Sequence, residues 1–256
     1  MIKYIWLKEI QAELYTWKST VWLLIASLLF SITSYLLLTN KELSLLDQTE
    51  MLWLLAKIII GVALLIITID ASSVITTEFE NQTAESLFLA PVSLRDLITG
   101  KLLSSLTSWL LIFIVATPYI LVASSGTNLA VYFLAYTALL GTLGAVGLIM
   151  IIFAVSLLYR SSKNTLTTSL IILLVFSIPA LFSSTLKNNP AAALFGRINP
   201  IDNIFSSLDN VLVDYQTSIM QNIKYLLPLV LFCVIGLLML WFAMKKFDRD
   251  GVIKSD

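Results

Sequence analysis

The sequence predicts an all-α membrane protein of six transmembrane helices, with an N-terminal amphipathic interfacial helix, a cytoplasmic elbow between spans 2 and 3, and short outer helices before span 6. Three observations carry that expectation. Hydrophobic residues make up 58% and charged residues 12% of 256 positions, against about 25% charged in soluble domains, and mean hydropathy is +0.91. The apolar residues are gathered into long windows almost free of charge. The basic residues cluster in alternate connections between those windows.

A transmembrane helix needs about 20 mostly apolar residues to cross a hydrocarbon core of about 30 Å. Residues 19–40 supply the first span. The second, over 51–75, is interrupted by Lys57 and Asp70. Nothing from Leu102 to Tyr159 is charged. One helix of that length would run to about 87 Å, so the stretch divides into spans over 102–123 and 129–159, turning at Ser124-Ser125-Gly126-Thr127-Asn128. Residues 164–186 form the fifth span and 225–244 the sixth, within a single transmembrane domain over 1–256.

Lys and Arg are retained on the cytoplasmic side. With both termini inside, Lys3, Lys8, Lys18, Arg95, Lys101, Arg160, Lys163, Lys245, Lys246, Arg249 and Lys254 are cytoplasmic, eleven of the 16 basic residues. A cleavable signal peptide is not expected, because the first span exceeds a signal h-region and no A-x-A-like site follows. Over 1–18, Trp6, Leu7, Ile10, Leu14 and Trp17 share a helical face, with Lys8, Glu9, Gln11 and Glu13 elsewhere. That pattern suits a helix lying in the interface; a cytoplasmic extension of span 1 is the alternative.

Composition also removes function classes. A net charge of zero, with 16 basic and 16 acidic residues, argues for no nucleic-acid partner. Cys233 is the only cysteine, so neither an intrachain disulfide nor a thiolate cluster can form. Without any histidine, His-based zinc sites and catalytic triads are excluded. No catalytic, cofactor or metal residues are expected in this chain.

The segment 78–101, EFENQTAESLFLAPVSLRDLITGK, is unusually polar for its surroundings. From Val74 to Leu89 there is no Gly or Pro, so span 2 is expected to continue as a helix into the cytoplasm. Pro91 then stops it. Ser93, three residues before Asp96, resembles a capping box for the helix that leads into span 3. A helix, a sharp elbow and a helix result. Its exposed part alternates Glu78, Glu80, Thr83, Glu85 and Ser86 before the apolar cluster Leu87-Phe88-Leu89. Such a surface suits docking of a soluble protein; an ordinary solvated loop is the alternative.

Glu78, Glu80, Thr83, Glu85, Leu87, Pro91, Val92, Ser93, Gly100 and Lys101 together resemble the cytoplasmic signature of type-2 ABC transporter permeases, usually close to E-R-E-x-G-T-x-E-x-L-x-x-x-P-V-S with a later G-K. Phe79 replaces the usual basic residue, and Gln82 stands where glycine is common. The amphipathic start, six spans and a long outer segment also resemble that family. The resemblance implies a subunit whose coupling elbow sits in a groove of a separate ABC-type ATPase, with Glu78, Glu80, Thr83, Glu85, Leu87, Phe88, Pro91, Val92 and Lys101 as the docking set. ATP and magnesium would be held by that partner. No G-x-x-x-x-G-K-[ST] phosphate loop occurs here: Gly100-Lys101 is followed by Leu102, and position 95 is Arg. The resemblance further implies a second permease copy or a related permease, and a bacterial cytoplasmic membrane.

Outside the elbow, Asp70 is the candidate transport-pathway residue, because an intramembrane carboxylate is costly unless it serves a site; an interfacial acid paired with a cytoplasmic base is the alternative. Lys57 is expected to snorkel. Gly141, Gly144 and Gly147 are expected to pack helices closely, and Pro118, Pro179 and Pro228 to kink them. Asn199-Pro200 marks a turn before an amphipathic helix in the outer segment 197–223. In the resembling family such helices cap the pathway; a helix lying on the outer membrane face is the alternative.

The function these features favour is the permease subunit of an ATP-driven exporter moving a hydrophobic or amphipathic cargo, such as a drug, an antimicrobial peptide or a lipid-like molecule. A non-transporting accessory or immunity protein of permease shape, and an ion-coupled secondary transporter, are the alternatives. The last usually needs intramembrane charges and inverted repeats, and only Asp70 qualifies.

Overall fold

The computed structural model describes residues 6, 11, 17–39, 48–81, 94–181 and 189–253. All regular elements among them are helical: α1 (Trp17–Thr39), α2 (Gln48–Val74), α3 (Thr76–Glu80), α4 (Leu94–Ala123), α5 (Ala130–Tyr159), α6 (Ser162–Ser177), α7 (Pro190–Ile198), α8 (Pro200–Leu212) and α9 (Ile219–Ile253). Six helical stretches are long and apolar enough to cross a membrane, built on α1, α2 with α3, α4, α5, α6 and α9. The six-span all-α fold is therefore present. The interfacial helix expected over 1–18 lies almost wholly outside the described residues.

Lipid tails are as apolar as leucine, so close packing rather than water exclusion holds such helices together. α5 is the centre of the bundle and packs against α2, α4, α6, α8 and α9. Its glycines make this approach feasible. A Cβ at Gly141 would overlap the Trp109 ring of α4, one at Gly144 would lie 2.8 Å from Ile204 of α8, and one at Gly147 would overlap Phe232 of α9. On the facing helix, a Cβ at Gly236 would stand 2.9 Å from the Gly147 carbonyl oxygen. By contrast α1 packs chiefly on α2 and α4 among the described residues and presents Leu24, Leu28 and Ile32 outward.

Several boundaries differ from the sequence expectation. Span 2 does not pass unbroken into the elbow helix: Ile75 is a turn residue between α2 and α3. There Lys101 Nζ donates to the Val74 carbonyl at 3.1 Å, and the Glu78 amide bonds the Ile75 carbonyl three residues back. The hydroxyls of Ser73, Thr76 and Thr77 also donate to carbonyls three or four residues earlier, a pattern that bends helices. The fifth span is α-helical only to Ser177 and tightens into a 3-10 turn over Ile178–Leu181, where Pro179 has no amide to donate. The helices α4 and α9 run on through Pro118 and Pro228.

The outer segment begins earlier than expected, with α7 at Pro190. Asn189 and Asn199 each cap a helix, accepting from Ala191 N at 3.1 Å and Asp202 N at 3.1 Å, with proline at the first helical position in both cases. α8 does not lie on the surface. Ile201, Ile204, Leu208, Val211 and Leu212 are buried, because the helix is wedged against α2, α5 and α9. Lys57 turns back toward the start of α2, its ammonium 3.3 Å from the centre of the Trp53 ring, while Trp53 Nε1 donates to the Phe205 carbonyl of α8.

Candidate functional site

Glu78, Glu80 and Lys101 are the members of the sequence-derived docking set that fall among the described residues. Thr83, Glu85, Leu87, Phe88, Pro91 and Val92 lie outside them. The three that are described meet at the base of the elbow, on the face where α2 ends, α4 and α6 begin and the last turns of α9 pass.

Lys101 is 2% exposed. Its ammonium lies 2.7 Å from Glu78 Oε1, whose side chain is 21% exposed, and it donates to the Val74 carbonyl at 3.1 Å. A buried ammonium is tolerated only with such partners, since its desolvation otherwise costs several kcal/mol. Lys101 therefore acts from inside the bundle, joining α4 to the end of α2.

Glu80 ties the same short helix to α6. Its carboxylate accepts from the Ser162 amide at 2.7 Å and from the Ser162 hydroxyl at 2.8 Å. Ser162 is the first residue of α6, and Ser161 before it provides no side-chain cap. Glu80 supplies that cap from 82 residues away in sequence, placing negative charge where the helix dipole favours it. Thr76 shares a further hydrogen bond with Ser162, at 2.8 Å.

A third tie reaches α9. Arg160 ends α5 in the left-handed region at φ 52°, which costs a non-glycine residue about 1–2 kcal/mol. Its guanidinium lies 5.0 Å from the Phe247 ring centre and 6.0 Å from that of Phe79, and the two rings are 5.7 Å apart. These cation–π contacts, each about 0.5–2 kcal/mol, offset the backbone cost. Phe79, which departs from the usual signature residue, is thus the contact between α3 and α9.

Asp70 sits one layer deeper. Lys18 Nζ is 3.2 Å from its Oδ1, and Ser108 donates to its Oδ2 at 3.2 Å. Lys18 also donates to Ser73 at 3.0 Å. The carboxylate, 15% exposed, thereby links α1, α2 and α4. Beside it is a pocket of about 20 Å³ lined by Ser19, Trp22, Ile66 and Ser108, room for about one water.

At the opposite end of the bundle a cluster of uncharged polar groups surrounds Asn222. Asn222, 0% exposed, accepts from Ser207 at 3.3 Å and Asn210 at 3.2 Å. It donates to the Gln216 carbonyl at 2.8 Å and the Ser218 carbonyl at 3.1 Å. Tyr136 of α5 joins through the Thr217 carbonyl at 2.9 Å. This network seals α8 to the start of α9.

Sequence reasoning missed Lys18, Ser108, Arg160, Ser162 and Phe247 as partners. Charge complementarity could have suggested Lys18 for Asp70; no local signal marks the positive φ of Arg160 or the capping of Ser162 by a distant glutamate.

None of the curated proteins compared matches this chain. The family model described as ABC-2 family transporter protein matches residues 5–250, nearly the whole chain, in agreement with the six candidate spans. The chain belongs to the ABC-2 transporter family, as a multi-pass membrane permease subunit of an ABC transporter.

Proposed function

We propose that the chain is the membrane half of an exporter driven by a separate ATPase docked on the elbow, 78–101. The observation that carries this reading is the triple tie at the elbow base: Glu78 to Lys101 of α4, Glu80 to Ser162 of α6, and Phe79 to Phe247 of α9. A displacement of residues 82–93 by a nucleotide-driven motor would reach three spans at once. Lys101 then contributes by fixing the elbow, while Glu85, Leu87, Phe88, Pro91 and Val92 supply the contact surface with Thr83. ATP and magnesium belong to the partner. Two permeases, identical or related, enclose the pathway, and a hydrophobic or amphipathic cargo leaves the cytoplasm or inner leaflet of a bacterial membrane. The basic residues support placing both termini and the elbow in the cytoplasm. Asp70, beside a one-water pocket and bound to Lys18, tunes the movement of α1 against α2 without performing chemistry.

The test is reconstitution with the ATPase in nanodiscs, following complex formation and cargo-stimulated ATP hydrolysis. Binding energy concentrates in a few buried aromatic or apolar anchors, so Phe88→Ala should weaken co-purification more than Glu85→Ala. Pro91→Ala should leave binding in place and lower coupling, because the helix can then run through the elbow. Wild-type assembly and wild-type coupled turnover in all three variants would remove the docking reading.

A further inference from the structure

An apolar groove of about 610 Å³ runs between α6 and α9 and ends at Arg197 in the last turn of α7. Ile171, Val175, Leu231 and Ile235 wall it, and all four are exposed, so the groove opens sideways to the bilayer. From Leu227 to Met239 it follows α9 for about 18 Å at 1.5 Å per residue. One leaflet is about 15 Å deep, half of a hydrocarbon core of about 30 Å. The groove thus has the length of an acyl chain standing in one leaflet.

Its polar end differs from an ordinary lipid-facing surface. Among the described residues, Arg197 is the one charged member of the groove lining, and it also lines an adjoining cavity of about 240 Å³ with Asp202, Asn203, Ser206 and Tyr225. An apolar slot and a polar pocket therefore share one residue, Arg197. Arginine presents a planar fork of donors that matches a phosphate with two parallel hydrogen bonds, and basic pockets at the membrane surface recognise lipid head groups in this way.

We propose that this paired cavity holds a bilayer phospholipid, with one acyl chain along α9, its phosphate on Arg197 and its head group in the polar pocket. The bound lipid lies alongside the Phe176–Phe232 ring contact, 5.3 Å between centres, that joins α6 to α9. The site is separate from the elbow and needs neither ATP nor cargo, so its failure would leave the permease reading intact.

The full chain in nanodiscs containing phosphatidylethanolamine with a diazirine on its acyl chain provides the test. After illumination, label should concentrate in peptides covering 171–176 and 227–239, in clear excess over residues 24–36 of α1. Unlabelled phosphatidylethanolamine should compete; diacylglycerol of the same chains should not. Arg197→Gln should lower the groove label about tenfold, the weight of one charge-assisted hydrogen bond, whereas Arg197→Lys retains most of it. Val175→Trp, which fills the groove and spares Arg197, should also abolish the label. Equal labelling of the groove and α1, or a groove label indifferent to both Arg197→Gln and Val175→Trp, would overturn the proposal. So would disulfide-linked dimers through Leu231→Cys, in a Cys233→Ser background, that exclude the label, because a second copy would then fill the groove.

Discussion

The two polar ends of this bundle are built from different chemistry. At the elbow base the ties are ionic or charge-assisted and bring together α2, α3, α4 and α6: Lys101 with Glu78, Glu80 with the start of α6. At the other end Asn222, Asn210, Ser207 and Tyr136 form a neutral network. The difference bears on motion. A neutral network whose members satisfy one another does not respond to an approaching charge, whereas an ion pair can exchange one partner for another of like charge. The exchangeable ion pair therefore lies at the Glu78 end, and the self-satisfied network at the Asn222 end.

The sharpest way to break this contrast is to remove one member of the buried pair. Glu78→Gln leaves the Lys101 ammonium in the bundle without its carboxylate, and breaking such a pair costs about 3–5 kcal/mol. Thermal unfolding in detergent, followed by helicity, should register a larger loss for this variant than for any of the three below; a shift no greater than that of a surface variant would show that the pair is open in solution. Asn222→Leu tests the opposite end. The Ser218 carbonyl keeps the Gln221 amide and the Ser207 hydroxyl can rotate to another acceptor, so the loss is that of one unsatisfied buried group, about 1–3 kcal/mol. Relaxation around the leucine keeps the total below the Glu78→Gln effect. The loss should be the same at low and high salt, and a strong salt dependence would contradict the neutral reading.

Smaller effects follow from packing and from exposed charge. Gly141→Ala drives a methyl group into the Trp109 ring, and overpacking of this kind costs about 1–3 kcal/mol. The hydrogen bond from Trp109 Nε1 to Thr142, at 2.9 Å, should loosen with it, visible as a change in tryptophan emission. Lys18→Ala removes a partner that is 44% exposed, and pairs of this sort contribute about 0–1 kcal/mol. Stability should hardly move. If the Asp70 tie governs α1, the change should appear instead in transport rate, measured in the reconstituted complex.

The spans are legible in the sequence because nothing disguises a long charge-free window, and Ser124 to Asn128 is legible as a turn because Gly126 takes φ 93° there. The outer helices are half legible. Asn199-Pro200 reads as a turn, and Asn189-Pro190 carries the same cap-and-proline signal at the start of α7; apolar periodicity draws attention to the second helix and hides the first. The elbow charges stand out in sequence, but their pairing does not. Lys101 lies 23 residues beyond Glu78 in the chain, and only the packing of α4 against α2 turns a charge written beside a polar segment into a buried one. Arg160 informs orientation alone at the level of sequence, since a left-handed arginine held by two rings from distant helices leaves no trace in local pattern.

The contact between Gly147 and Gly236 limits how the transporter can deform. Where the facing carbonyl leaves a Cβ only 2.9 Å of room, α9 cannot slip by one turn, about 5.4 Å, past α5. Such a shift would bring Leu240 or Phe232 opposite a place with space for a hydrogen atom alone. Sliding of these two helices past that contact meets backbone rather than a yielding side chain, whereas tilting of α5 and α9 together as one body leaves it undisturbed.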